Sequence, residues 1–115
     1  MKFTLLIPLL LIPSLACRQT PPPGASGETI YILQNCANCH GESGEGTKRG
    51  PAFIELNTHW DRSAMAEFFA HPKAVAKQDA RLSAMIEKFG SSMSTYDNLS
   101  QNERLRLADY LLEAP

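Results

Sequence analysis

Apolar residues recur at intervals of three and four through most of this chain, and no run alternates with the period of two that a half-buried strand requires. Over residues 28–38, Ile30, Leu33 and Ala37, with Tyr31 beside them, predict a first helix that is stopped by Gly41. Residues 42–58 lose the periodicity, and Gly44, Gly46, Gly50 and Pro51 make them a loop. A second helix opens at Asp61, aligns Met65, Phe68 and Phe69, and closes at His71-Pro72, because a residue before proline disfavours the helical region. The spacing predicts a third helix over 73–89, with Val75, Leu82, Met85, Ile86 and Phe89 on its apolar side and Gly90 as its stop. The last helix starts from Ser100 as N-cap, gains a capping box from Glu103, and buries Leu105, Leu107, Ala108, Leu111 and Leu112. The expected fold class is all-α, with about four helices and no internal repeat.

The front of the chain follows a different pattern. Lys2 precedes an almost wholly apolar run of about 14 residues, too short to cross a bilayer and interrupted by Pro8 and Pro13, so residues 1–16 read as an export signal peptide. The segment Ser14-Leu15-Ala16-Cys17 allows either cleavage after Ala16 or lipoprotein processing at Cys17. It resembles a bacterial lipobox, with Ser14 where leucine is usual. Residues 17–26 form a Pro/Gly/Ser-rich tether of the kind that holds a folded head off a surface, and residues 27–115 form that head. The expected location is the periplasmic side of a bacterial membrane, with a lipid anchor at Cys17.

Composition narrows the function classes. Eleven Lys plus Arg against 12 Asp plus Glu give a net charge of −1, and removal of a leader containing Lys2 leaves 10 against 12, or −2. That balance excludes a strongly basic nucleic-acid binder. With 115 residues, 8% aromatics and eight prolines, the chain has little material for a self-sufficient core and would gain from a cofactor. Lys73, Lys77 and Arg81, four apart, form either the wet face of the third helix or a line that steers an acidic redox partner.

The chemistry concentrates in Cys36-Ala37-Asn38-Cys39-His40, a C-x-x-C-H run that is the attachment signature of a c-type haem. On a helical turn the two sulfurs face the same way, each able to form a thioether with one vinyl group, and His40 then offers an imidazole nitrogen to the iron. A redox dithiol shares C-x-x-C but belongs in a βαβ setting, and a structural zinc site would want two further ligands from a chain with no second cysteine pair. The second axial ligand decides between electron transfer and an open iron that binds gases or reacts with peroxide. Candidates are Met85, Met93, His59 and His71. Met85 occupies an apolar helix position and reads as core, His71 faces solvent or caps a helix, and His59 lies close to the loop. Met93 stands in the polar stretch 90–96, where burial alone gives no reason for a thioether.

From Gly27 to Leu112 the chain resembles a class I cytochrome c. The resemblance rests on Gly27 and Tyr31 on a first helix, the Cys36-x-x-Cys39-His40-Gly41 motif, Gly50-Pro51, and Trp60 leading a middle helix that ends in Pro72. It continues through Met93-x-x-Tyr96-x-x-Leu99-Ser100-x-x-Glu103 and Leu107-x-x-Tyr110-Leu111. It implies a cytochrome c fold wrapped around one haem c, held through Cys36 and Cys39, with His40 and Met93 on the iron. It implies that the Pro51 carbonyl accepts a hydrogen bond from His40, and that the first and last helices cross at Gly27, Tyr31, Leu107 and Tyr110. It also implies a bond from Trp60 to a haem propionate, and the charge of Arg49 suits it to the same group. The family commonly has proline after the axial methionine; here Ser94 leaves that loop less restrained. The implied function is single-electron transfer between a redox-protein donor and acceptor, by a carrier rather than an enzyme or as the haem subunit of a larger complex. Mass spectrometry of the mature N-terminus is expected to find an acylated Cys17; an unmodified Cys17 refutes the anchor.

Overall fold

The computed structural model describes residues 19–113, so the expected signal peptide over residues 1–16 and the expected anchor at Cys17 lie outside the described residues. Among the described residues there are seven helical segments and no strand. They are α1 (Gly27–Leu33), α2 (Ala37–His40), α3 (Leu56–His59), α4 (Arg62–Ala70), α5 (Pro72–Lys77), α6 (Ala80–Phe89) and α7 (Gln101–Glu113). None is long and apolar enough to cross a membrane.

Seven segments arise where the hydrophobic pattern predicts four because local polar residues interrupt two of the runs. The expected helix over 28–38 breaks at Asn35, which takes the left-handed conformation at φ 58° that asparagine tolerates better than most residues. The Cys36 N–H then pairs with the Tyr31 carbonyl at 3.2 Å instead of continuing the ladder, and the C-x-x-C-H run winds its own turn as α2. The expected helix over 73–89 divides at Asp79, whose carboxylate accepts from the Arg81 and Leu82 amides at 2.9 and 3.3 Å and starts α6 afresh. Lys73, Lys77 and Arg81 therefore do not share one helix face. The loop over 42–58 also gains one short turn, α3.

The other boundaries agree with their sequence signals. Asp61 caps α4 through its carboxylate and the Ala64 amide at 2.7 Å, and α4 ends against His71-Pro72, with Pro72 opening α5. Gly90 closes α6 at φ 75°. At α7 the Ser100 amide donates to the Glu103 carboxylate at 2.9 Å and the Glu103 amide to the Ser100 hydroxyl at 3.1 Å, a complete capping box.

Helix α7 is the hub, packing against both α1 and α4. Its Leu107, Ala108 and Leu111 meet Ile30 and Tyr31 of α1 and Met65 and Phe69 of α4 in one core. The α1–α7 crossing closes at Gly27, where a Cβ would stand 2.3 Å from the Arg106 carbonyl oxygen and 2.4 Å from Tyr110 Cβ. Tyr31 and Tyr110 complete the crossing with ring centroids 5.9 Å apart. Outside the core, the Arg62 guanidinium grips Asp109 of α7 through two hydrogen bonds of 2.8 Å, which hold the Asp109 carboxyl below its ordinary range. The described part of the tether is not free of the head. Pro21 and Ala25 are buried, and the Ala25 carbonyl accepts from Arg106 Nε at 2.8 Å.

Substituting Gly27→Ala places a methyl group against backbone that cannot yield without moving α7. It is expected to lower stability by about 1–3 kcal/mol in denaturant titrations of the haem-loaded protein.

Candidate functional site

The α1–α2 break and the 42–58 loop bring the cysteine motif to the wall of a large cavity. The Gly46 amide donates to the His40 carbonyl at 2.8 Å and the Thr47 hydroxyl to the Cys39 carbonyl at 2.7 Å, so the loop folds back on α2 from both of its last residues. The same loop delivers Pro51, whose carbonyl lies 2.9 Å from His40 Nδ1. A carbonyl oxygen only accepts, so Nδ1 carries the ring proton and the lone pair is left on Nε2. Burial pushes the His40 pKa down and the Pro51 bond opposes that shift, so the ring stands neutral at physiological pH, the form in which imidazole binds a metal.

Two aromatic rings brace this arrangement. Phe53 packs on the His40 ring at 4.7 Å between centroids and meets Tyr31 edge-on at 6.2 Å. The Tyr31 hydroxyl donates to the Gly41 carbonyl at 2.6 Å, pinning the end of α2 to α1. Burial pushes the Tyr31 phenol up to about 12, with nearby negative charge adding to the shift.

The cavity measures about 860 Å³, inside the roughly 300–1,000 Å³ of ligand and cofactor pockets. Cys36, Cys39, His40, Pro51, Trp60 and Met93 all line it, on walls contributed from α2 to the loop after α6. Arg49 lines it too, although its side chain is otherwise exposed. Met85 belongs to the cavity lining and is half-buried, rather than sealed in the core as its helix position suggests. His59 reaches the lining from an exposed position. His71 does not; its side chain is 62% exposed and lies 3.9 Å from Glu67.

Two contributors escape the sequence reading. Phe53 stands in a loop otherwise read for its glycines, and its signal is an aromatic two residues after Gly50-Pro51. Arg81, assigned to the exposed line of the third helix, is half-buried, lines the cavity, and lies 5.2 Å from the centre of the Trp60 ring. The Asp79 cap signal moves Arg81 off that line, and Trp60 is held from its other neighbour, Phe68, at 5.1 Å.

This donor set fits an iron porphyrin. Two thiols sit one helical turn apart beside a neutral imidazole, a thioether lies in the same cavity, and the remaining walls are largely apolar through Met65, Phe68, Phe69, Leu82 and Ile86. Among the described residues no group of three or more His, Cys, Asp and Glu side chains could hold a bare metal ion, which leaves a zinc centre without its ligands.

The Tyr31 phenol is neutral in the fold up to about pH 12, against an ordinary value of 10.0, so the unfolded chain releases its proton first as pH rises. Its contribution is whole below pH 10.0 and is lost on the way to about pH 12. Denaturant midpoints measured over that window are expected to fall with pH, and less steeply in Tyr31→Phe.

No match to the chain is found among curated proteins or among solved structures. The cytochrome c family model, however, matches residues 24–115, which takes in the cavity, both thiols and every helix described. With most of its length matched, the chain belongs to the cytochrome c family, whose haem c is carried covalently on cysteines, here Cys36 and Cys39.

Proposed function

We propose that the chain is an exported, single-haem electron carrier of the class I type, with His40 Nε2 and the Met93 sulfur as the axial ligands. The observation that carries this reading is the 2.9 Å contact between His40 Nδ1 and the Pro51 carbonyl, at the wall of a cavity that Cys36, Cys39 and Met93 also line. Bound haem supplies one-electron chemistry, its iron passing between ferrous and ferric states, with a His/Met pair raising the potential.

The protein's own residues do the rest. Pro51 and Phe53 hold the imidazole in one orientation and one tautomer, so no ligand rotation accompanies electron transfer. Met93, lining the cavity, would hold the iron with its thioether and leave no open position for small molecules, which favours a carrier over a gas sensor or a peroxidase. Apolar walls from Met65, Phe68, Phe69, Leu82 and Ile86 would limit water around the bound group, which would keep the solvent rearrangement around a changing charge small. Trp60, with Arg81 lying over its ring and Arg49 at the cavity wall, supplies donors and positive charge suited to the haem carboxylates. Partners are a redox-protein donor and acceptor. A lipid at Cys17 would hold the head at the periplasmic face of a bacterial membrane.

Met93→Ala is expected to abolish the sulfur-to-ferric-iron charge-transfer band, to lower the midpoint potential, and to let the reduced protein bind carbon monoxide rapidly. Met85→Leu is expected to keep the charge-transfer band and to leave carbon monoxide capture slow. A folded Met93→Ala protein that kept its band would sink the assignment.

A further inference from the structure

We propose that Gln34 is a positioning residue that couples the N-terminal segment to the loop carrying Met93. Among the described residues Gln34 is the buried polar side chain, 3% exposed at the end of α1. Its amide is used in two directions. Nε2 donates to the Gln19 carbonyl at 2.7 Å, and Oε1 accepts from Asn98 Nδ2 at 2.9 Å, across 64 residues of chain. A buried amide left without a partner is costly, so each of these bonds holds the other's geometry in place.

Both ends lead somewhere. Residues 19–25 are seated on the head through buried Pro21 and Ala25 and through Arg106 on the Ala25 carbonyl, while the Ala25 amide closes a turn within the segment on the Pro22 carbonyl at 3.1 Å. The loop from 91 to 99 contains no proline and no helical ladder. It is held by the Tyr96 amide on the Phe69 carbonyl at 2.9 Å, by Arg104 on the Tyr96 and Leu99 carbonyls, and by Asn98 on Gln34. Tyr96 and Leu99 also anchor the loop by burial in the core, and loss of the Asn98 bond loosens the chain between those two anchors. Displacing the N-terminal segment strips Gln34 of its acceptor and lets its side chain turn away from Asn98. Seating of the segment thereby controls how tightly Met93 is presented to the cavity, a consequence that rests on Met93 being the axial ligand.

The test uses the full haem-loaded chain as Gln34→Met, Asn98→Ala and the double variant, read by native-state hydrogen exchange at the Tyr96 and Leu99 amides and by the carbon monoxide capture rate of the reduced protein. Each single variant is expected to speed exchange at those two amides about five- to tenfold, with the core amides of α4 and α7 unchanged, and the double variant to add little to either. Ala25→Asp, which dislodges the segment, is expected to speed the same two amides and to lose that effect when Gln34→Met is already present. Pro21→Asp replaces it if Ala25→Asp does not fold. Unchanged exchange at Tyr96 and Leu99 in folded variants, or effects that multiply in the double variant, overturns the coupling. Faster exchange with unaltered carbon monoxide capture supports the coupling and counts against Met93 as the ligand.

Discussion

The hydrogen bond between His40 Nδ1 and the Pro51 carbonyl joins a helical turn to a loop that has no regular structure of its own. Without it, the imidazole would have neither a defined tautomer nor a defined direction, and the 42–58 loop would lose one of its attachments to α2. The bond is accompanied by others that serve the same end: Gly46 on the His40 carbonyl, Thr47 on the Cys39 carbonyl, and Phe53 against the imidazole face. The neutrality of the ring follows from the burial that this closure produces. An imidazole with its lone pair on Nε2 is thus prepared by an acceptor that can do nothing except accept.

Around that centre the chain is organised by helix ends more than by helix bodies. Asn35 ends α1 early so that the cysteine pair can turn independently, and Asp79 restarts a helix so that Arg81 comes over Trp60. Both interruptions work through a short polar side chain that either tolerates an unusual backbone conformation or replaces a missing amide partner. The result is a shell of seven short segments around a cavity, with α7 holding α1 and α4 together behind it. A chain this small does not fill its own centre with side chains. The haem c that its family carries is therefore structural as well as functional.

Much of this was legible in the residues themselves. The C-x-x-C-H spacing identified the attachment site because covalent chemistry at two vinyl groups permits few alternatives, and the caps at Asp61, Ser100 and Gly90 marked real boundaries because they act within a single turn. The hydrophobic stripe was less informative at 28–38 and 73–89, since an apolar period continues across a break whenever both halves bury apolar side chains. Met85 shows the ambiguity at one residue: a helical apolar position looks the same whether it faces protein or cofactor.

Local order along the chain determined the helical class, the thiol pair, the histidine beside it and most of the helix ends, because each depends on residues within about four positions of one another. The meeting of Pro51 with His40 was implied by the family resemblance and not by any local pattern, and tertiary structure alone decided that Phe53 braces the ring, that Arg81 leaves the exposed line for the cavity wall, and that Gln34 reaches both Gln19 and Asn98. Those contacts join segments from 11 to 64 residues apart, and which of them form depends on how α1, α4 and α7 pack, a matter on which no single window of sequence carries information.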